Sequence, residues 1–564
     1  MRLILREYLS LLKEAGEIDA LVPDLLLSMG VRPLSRPGSG PRQYGVDIPA
    51  VGIDPESSPR TRKLFLVTAK QGDINRADWN HPNDGVRDSL NEILDSYLAN
   101  SVAPTERGLP VKVILATGGG LKPTVQPNWN GFTAQAIRTN HHGHAVEFDL
   151  WDGDRLANLL QLYLVDEYLF PQDFQATMRR TLALIGERDA DLGPFEQLVG
   201  RTVESVPASR KRGDTRDRLK ALRALRLAVG AMDRWGRGAG NTRPAMLAAE
   251  HLLLRTWGAL DRHGLTHAAS NEVAEVRHLL GLWRETTRAY VEAIAPACRI
   301  KDGLYGSSPA EGVEYPLRTF EVIGLFAVAG LDGLYQASSE TGQQQTAARQ
   351  RAADLSELIE EVVANNPAAL HPPYDEHATE LTLAVLLWAQ TGRSTAAATY
   401  LRKLATRVSV AQQLGTSGVP LLHADYGRLT DLALGLRSPE LPSSHVLLRL
   451  AELALVLGDD ALCQHVLDEV VGAFPATHHL VWYPDVNTGL ALYDGPGTGT
   501  GYTFAPVPWP RTPDGLRALV RDHLPDDDAP DYSADAKGFP SLTLMASRRF
   551  RTPLRPRLWR SLIR

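Results

Sequence analysis

The stretch YGVDIPAVG (Tyr44–Gly52), a polar turn, and then KLFLVTAKQG (Lys63–Gly72) decide how this chain reads. Each quoted segment is a short apolar run bounded by turn residues, which predicts two strands over 46–53 and 63–70 joined by DPESSPRTR. Alternate residues of a strand share a face, so Leu64, Leu66, Thr68 and Lys70 project together. Lys70 ends its strand just before Gly72, and Asp47 begins the other, so both are expected at one open edge of a sheet. A carboxylate and an ammonium so placed suit metal-dependent phosphodiester cleavage. The carboxylate would hold a divalent cation that polarises the phosphate, and the ammonium would orient the attacking water. The backbone carbonyl of Ala69 would add an oxygen donor, which a hard cation such as Mg²⁺ or Mn²⁺ prefers.

Outward from this pair, Ile18–Met29 carries apolar residues at helical spacing and stops at Gly30. The segment SRPGSGPRQYG is turn chemistry, and 84–98 predicts a helix with Val86, Leu90, Ile93, Leu94 and Tyr97 on one face. VKVILAT (Val111–Thr117) has the continuous apolar character of a buried central strand. AVEFDLW (Ala145–Trp151) predicts another strand and leads into the helical pattern of WDGDRLANLLQLYL. This order describes an α/β mixed sheet flanked by helices.

At these residues the chain resembles the PD-(D/E)XK restriction-endonuclease-like nucleases, and among them the Mrr-type domain, over about residues 15–165. The family's acidic residue on a first apolar helix ending in Gly is matched by Asp19 in IDALVPDLLLSMG, and its G-V-D-I segment by Gly45–Ile48. Its strand ending in acidic-or-Gln, any residue, Lys is matched by Thr68, Ala69 and Lys70; VILATGG and LWDGDRLANLL are similar to later landmarks. The resemblance implies an endonuclease acting on DNA, with Asp47 as metal ligand, Lys70 activating water and Asp19 assisting. Thr68 departs from the pattern, supplying a neutral hydroxyl where a charged or amide ligand is usual; Asp19, Glu17 or Asp73 would compensate.

The remaining chain predicts domains at 1–170 (nuclease-like), 171–215 (connecting helix and linker, including PASRKRGD), 216–480 (helical hairpins) and 481–564. Two stretches, LAVLLWAQTGRSTAAATYLRKLATRV and LAELALVLGDDALCQHVLDEVV, read as helix, Gly-containing turn, helix, with Gly392 and Gly458 at the turns. They are weakly similar to tetratricopeptide-like hairpins, predicting an all-α array that binds a protein partner or self-associates. The last part reads as a Gly/Pro-rich loop, an acidic segment and a basic tail with Phe550 and Trp559 interleaved. Gln71, Arg42, His142, Arg549 and Trp559 are candidate nucleic-acid contacts.

Several classes are disfavoured. A net charge of −6 gives no overall pull toward nucleic acid, so any contact must be local. The glycines of ATGGGLKP and DGPGTGTGY do not run into Gly-Lys-Ser/Thr, so no ATP site is expected. His141, His142 and His144 sit on one short turn and read as a polar turn rather than a zinc site. Cys298 and Cys463 read as buried free thiols, and with no apolar run of membrane length the chain is expected in the cytoplasm. A nuclease joined to a helical sensor is similar in architecture to effectors of anti-phage defence or restriction; the alternative is an inactive nuclease-like adaptor.

Overall fold

The computed structural model describes residues 2–12, 18–34, 44–82, 84–139, 141–164, 174–187, 190–205, 211–267, 270–306, 313–495, 500–523 and 530–563. The chain forms two compact units, residues 1–186 with 190–239, and residues 187–189 with 240–564.

The first unit is built on a five-stranded mixed sheet of β1 (Arg32–Pro33), β2 (Ile48–Ile53), β3 (Arg62–Lys70), β4 (Val111–Thr117) and β5 (Val146–Trp151), in that order. The pairs β1/β2 and β2/β3 are antiparallel; β3/β4 and β4/β5 are parallel. The parallel pairs need crossovers, and the chain supplies helical ones, Val86–Glu92 and its continuation after β3 and Gln126–Ala136 after β4. Val86, Leu90, Ile93 and Leu94, the predicted stripe, pack on Leu64, Leu66, Val111, Val113 and Leu115 of the sheet. Every residue of β4 is buried: its apolar side chains belong to the core, and Lys112, its one charged residue, is paired with Asp54 and Asp149, each at 3.3 Å.

Backbone approaches around the edge of this sheet demand glycine. Gly45 has φ +75°, and a Cβ there would lie 2.1 Å from the Ser89 carbonyl oxygen. In the turn after β4, a Cβ on Gly118 would meet Leu9 O at 1.9 Å, and one on Gly119 would meet the Gly72 carbonyl carbon at 2.4 Å. ATGGG is thus a close-packed turn. Gly45→Ala is expected to destabilise the first unit by at least about 1 kcal/mol, combining steric overlap with a disfavoured φ; urea unfolding would measure this.

The unit boundary differs from the expected one. The helix Arg212–Gly238, read from its periodicity as the start of the helical array, belongs to the first unit. Asp24, buried in the helix Asp19–Ser28, ion-pairs with Arg226 and, at 3.6 Å, with Arg223 of that long helix. Periodicity reports that a helix forms, not which core it packs on. Phe174–Leu184 is helical as read; of PASRKRGD, residues 207–210 lie outside the described residues, while Arg212–Asp214, read as linker, open the helix Arg212–Gly238.

The second unit is mostly helical. The two expected hairpins are Ala378–Gln390 with Ser394–Leu414, and Val446–Val456 with Asp460–Ala473. Gly392 and Gly458 hold the turns in the left-handed conformation (φ +76° and +71°), where a side chain would be strained. A second sheet, β6 (Ser443–Ser444), β7 (His478–Tyr483) and β8 (Tyr502–Val507), was not expected; β8 lies within the stretch read as a Gly/Pro-rich loop. Cys298 and Cys463 are buried free thiols. Among the described residues no helix is long and apolar enough to cross a membrane.

The expected basic tail is an internal element. Arg548 ion-pairs with Glu250 at 2.5 Å, Arg555 donates to Pro530 O at 2.8 Å, and Arg560 donates twice to Glu452 Oε1, at 3.0 and 2.7 Å. Acidic partners distant in sequence, Glu250 and Glu452, thus meet Arg548 and Arg560.

Candidate functional site

The β2/β3 register pairs Ile48 with Val67, and one further step sets Asp47 opposite Thr68. The Asp47 amide donates to Val67 O at 2.9 Å, continuing the pairing beyond the strand. Asp47 Oδ2 in turn accepts from the Ala69 amide at 2.7 Å. Ala69 therefore engages Asp47 through its N–H, a contact that the sequence reading, centred on the Ala69 carbonyl, did not anticipate.

Thr68 is 1% exposed, and its hydroxyl lies close enough to the Asp47 carboxylate to lower its pKa. Two residues on, Lys70 is buried to 9% and reaches Asp84 Oδ1 at 2.8 Å. Asp84 was missed by sequence reasoning: it sits in the turn before Val86, and nothing local marks it as a partner of a strand 14 residues earlier. Thr117, in register with Lys70 on β4, donates to Gly72 O and closes the turn after β3.

Asp19 opens the helix Asp19–Ser28 and lies close enough to Asp47 to raise its pKa. Its Oδ1 is buried with no hydrogen-bond partner. Burial is the main influence on Asp47 and pushes its carboxyl above the ordinary range; the Ala69 amide, Lys70 and Thr68 oppose this without offsetting it. Asp19 thus lies near Asp47 with an orphaned oxygen, and burial leaves the Asp47 charge incompletely compensated, the condition a divalent cation relieves. Among the described residues no three His, Cys, Asp or Glu side chains converge. Mg²⁺ commonly takes only one or two carboxylates, with water and substrate phosphates completing its shell, so Asp19 and Asp47 fit it.

Other candidates fall elsewhere. Asp73 is committed to the turn after β4, accepting from the Gly120 amide at 3.0 Å and pairing with Lys122 at 2.5 Å. Gln71 is exposed just past β3, whereas Arg42 and Glu17 lie outside the described residues. His142 is at the opposite end of the sheet, since HHGH precedes β5 at its Val111-paired end while Lys70 aligns with Thr117. Six residues of strand separate those ends, about 20 Å at about 3.3 Å per residue. His142 (φ +53°) and Gly143 (φ +85°) form a tight turn closed by the His141–His144 bridge. The His141 and His144 rings bond separate carbonyls, Ala136 O at 2.9 Å and Leu109 O at 3.0 Å. Trp559 is fully buried and donates to Glu452 Oε2 at 2.7 Å, so its ring is not available to stack on a base. Arg549 lies 3.8 Å from Glu250 Oε1 in the second unit.

Thr68→Glu would put a third carboxylate beside Asp47, at a position only 1% exposed. Its melting temperature is expected to fall below wild type in EDTA and to recover with Mn²⁺, as thermal melts with and without metal would show.

No protein-family model, curated protein or solved structure matches the chain.

Proposed function

We propose that the first unit is a nuclease domain of the restriction-endonuclease-like class, hydrolysing phosphodiester bonds of DNA with Mg²⁺ or Mn²⁺. The observation that carries this reading is the convergence of Asp19, Asp47, Thr68 and Lys70, from three separate segments, on one end of one sheet. Asp19 and Asp47 would hold the cation, which when bound supplies Lewis-acid polarisation of the phosphate and a water of lowered pKa. Lys70 orients that water and balances negative charge growing on the phosphate oxygens. Its present partner Asp84 is largely exposed, so a phosphate oxygen can compete for the Lys70 ammonium. Thr68 steers the Asp47 carboxylate through its hydroxyl. The helical second unit would control the activity, by a partner or by self-association, in a setting of anti-phage defence or restriction.

The test is relaxation of supercoiled plasmid with Mg²⁺ or Mn²⁺, beside single-stranded DNA and RNA. Cleavage lost in EDTA and in Lys70→Ala supports the proposal; an equal rate in Lys70→Ala contradicts it. Two observations favour a second reading, a nuclease-like adaptor without activity: the neutral Thr68 and the Lys70–Asp84 pair. Absence of cleavage with every metal and substrate would favour the adaptor.

A further inference from the structure

The second unit contains a cavity of about 620 Å³ that the nuclease reading does not use. It forms where the residues before helix Ala378–Gln390, the start of helix Val446–Val456, strand β7 and the end of helix Pro540–Phe550 meet. A volume of this order suits a small organic ligand.

The charged groups lining it differ in what they have left to offer. Asp375 is saturated: it accepts from Ser444 Oγ and the His445 amide, each at 2.5 Å, and from the Val446 amide at 3.2 Å. Its charge is met by the helix start it caps. His445 Nδ1 is 3.1 Å from the Leu480 carbonyl and must donate to it. Burial holds the imidazole below its ordinary range, so at neutral pH Nε2 is an acceptor. Arg449 lies over the Trp559 ring at 3.3 Å and donates through Nε to Glu452 and through Nη1 to Thr382. Its Nη2 has no partner among the described residues.

Arg551 is the informative group. It ends helix Pro540–Phe550 in the left-handed conformation, φ +56°, where glycine is the usual residue and a side chain is strained. Among the described residues its guanidinium makes no hydrogen bond: it stacks on Tyr374 at 4.8 Å, and its Nη1 stands 3.7 Å from Glu376 Oε2. Both of those atoms are buried without a hydrogen-bond partner. Strain held for a side chain whose donors are unused points to a ligand that uses them. Trp482 and Phe550 give the same cavity flat apolar surface.

We propose that this cavity binds a nucleoside monophosphate, with the phosphate on the free donors of Arg551 and Arg449, the ribose hydroxyls donating to Glu376, and the base against Trp482 and Phe550. Guanidinium–phosphate pairing and base–aromatic stacking are the two interactions those side chains make best. The proposal stands apart from the nuclease reading, since no residue of the first unit enters it.

Isothermal titration of the full chain with AMP, GMP, CMP and UMP, beside the matching nucleosides and inorganic phosphate, tests it. At least one monophosphate is expected to bind at one per chain, with its nucleoside and phosphate alone each weaker by about tenfold or more. Arg551→Gly and Arg551→Asn both tolerate the left-handed backbone. Each is expected to melt no lower than wild type and to lose about tenfold or more in affinity. Failure of all four monophosphates to bind, phosphate binding as tightly as the nucleotide, or unchanged affinity in the Arg551 variants would each overturn the proposal.

Discussion

Asp47→Asn is expected to raise the melting temperature of the metal-free protein while lowering Mn²⁺-dependent cleavage by about a hundredfold or more. Burial pushes the Asp47 carboxyl above 3.8, and neighbouring Asp19 adds to the effect. A carboxyl whose pKa is higher in the folded than in the unfolded state takes up a proton more readily when folded. Its contribution to stability is present below the unfolded value and is lost as pH rises through the folded value. At neutral pH the ionised Asp47 therefore opposes folding. Asparagine removes that charge and keeps an oxygen for the Ala69 amide. Melts in EDTA should show the variant above wild type at neutral pH, with the gap closing as pH falls toward 3.8. A variant less stable than wild type at neutral pH would show that the carboxylate is a structural ion-pair member and not a strained ligand.

Glu452→Ala should be the most destabilising single change in the second unit, by about 3–5 kcal/mol, because it strands buried cations. Glu452 is 1% exposed and accepts from Arg560 Nε and Nη2, from Arg449 Nε at 3.3 Å and from the Trp559 indole at 2.7 Å. Burial alone would push its carboxyl up, but the Arg560 and Arg449 guanidiniums outweigh it and hold the carboxyl below its ordinary range. For a lowered carboxyl the sign reverses: its stabilisation is full above the unfolded value and is lost as pH falls through the folded one. Guanidinium unfolding of the variant, followed by far-ultraviolet circular dichroism, should show the second unit melting first. A loss under about 1 kcal/mol, the range of an exposed pair, would contradict the arrangement.

Strands β2 to β5 were legible because apolar residues dominate each of them and turn residues bound its ends. Asp47, Thr68 and Lys70 were legible because strand alternation and a short hairpin place them on one edge. What failed to show were pairings between distant segments. Asp84 meets Lys70 through a turn with no periodicity of its own. The arginines after Arg548 look solvent-directed until Glu250 and Glu452, far upstream, are brought to them. Strand β8 was hidden because Gly501 and the prolines around it signal a turn, whereas as an edge strand it needs ladder bonds on one side only. The unit boundary was misplaced because the long helix Arg212–Gly238 declares its shape, but not that Arg226 closes on Asp24.

The central claim is that Asp19 and Asp47 together form a divalent-cation site at the edge of the first sheet. Calorimetric titration of Mn²⁺ into the full chain tests it most directly, with Asp47→Asn and Asp19→Asn titrated in parallel. One bound ion per wild-type chain, with that heat lost in both variants while both remain folded, is the predicted result. Wild-type protein that binds no Mn²⁺, or variants that bind it with unchanged heat and affinity, would contradict the claim.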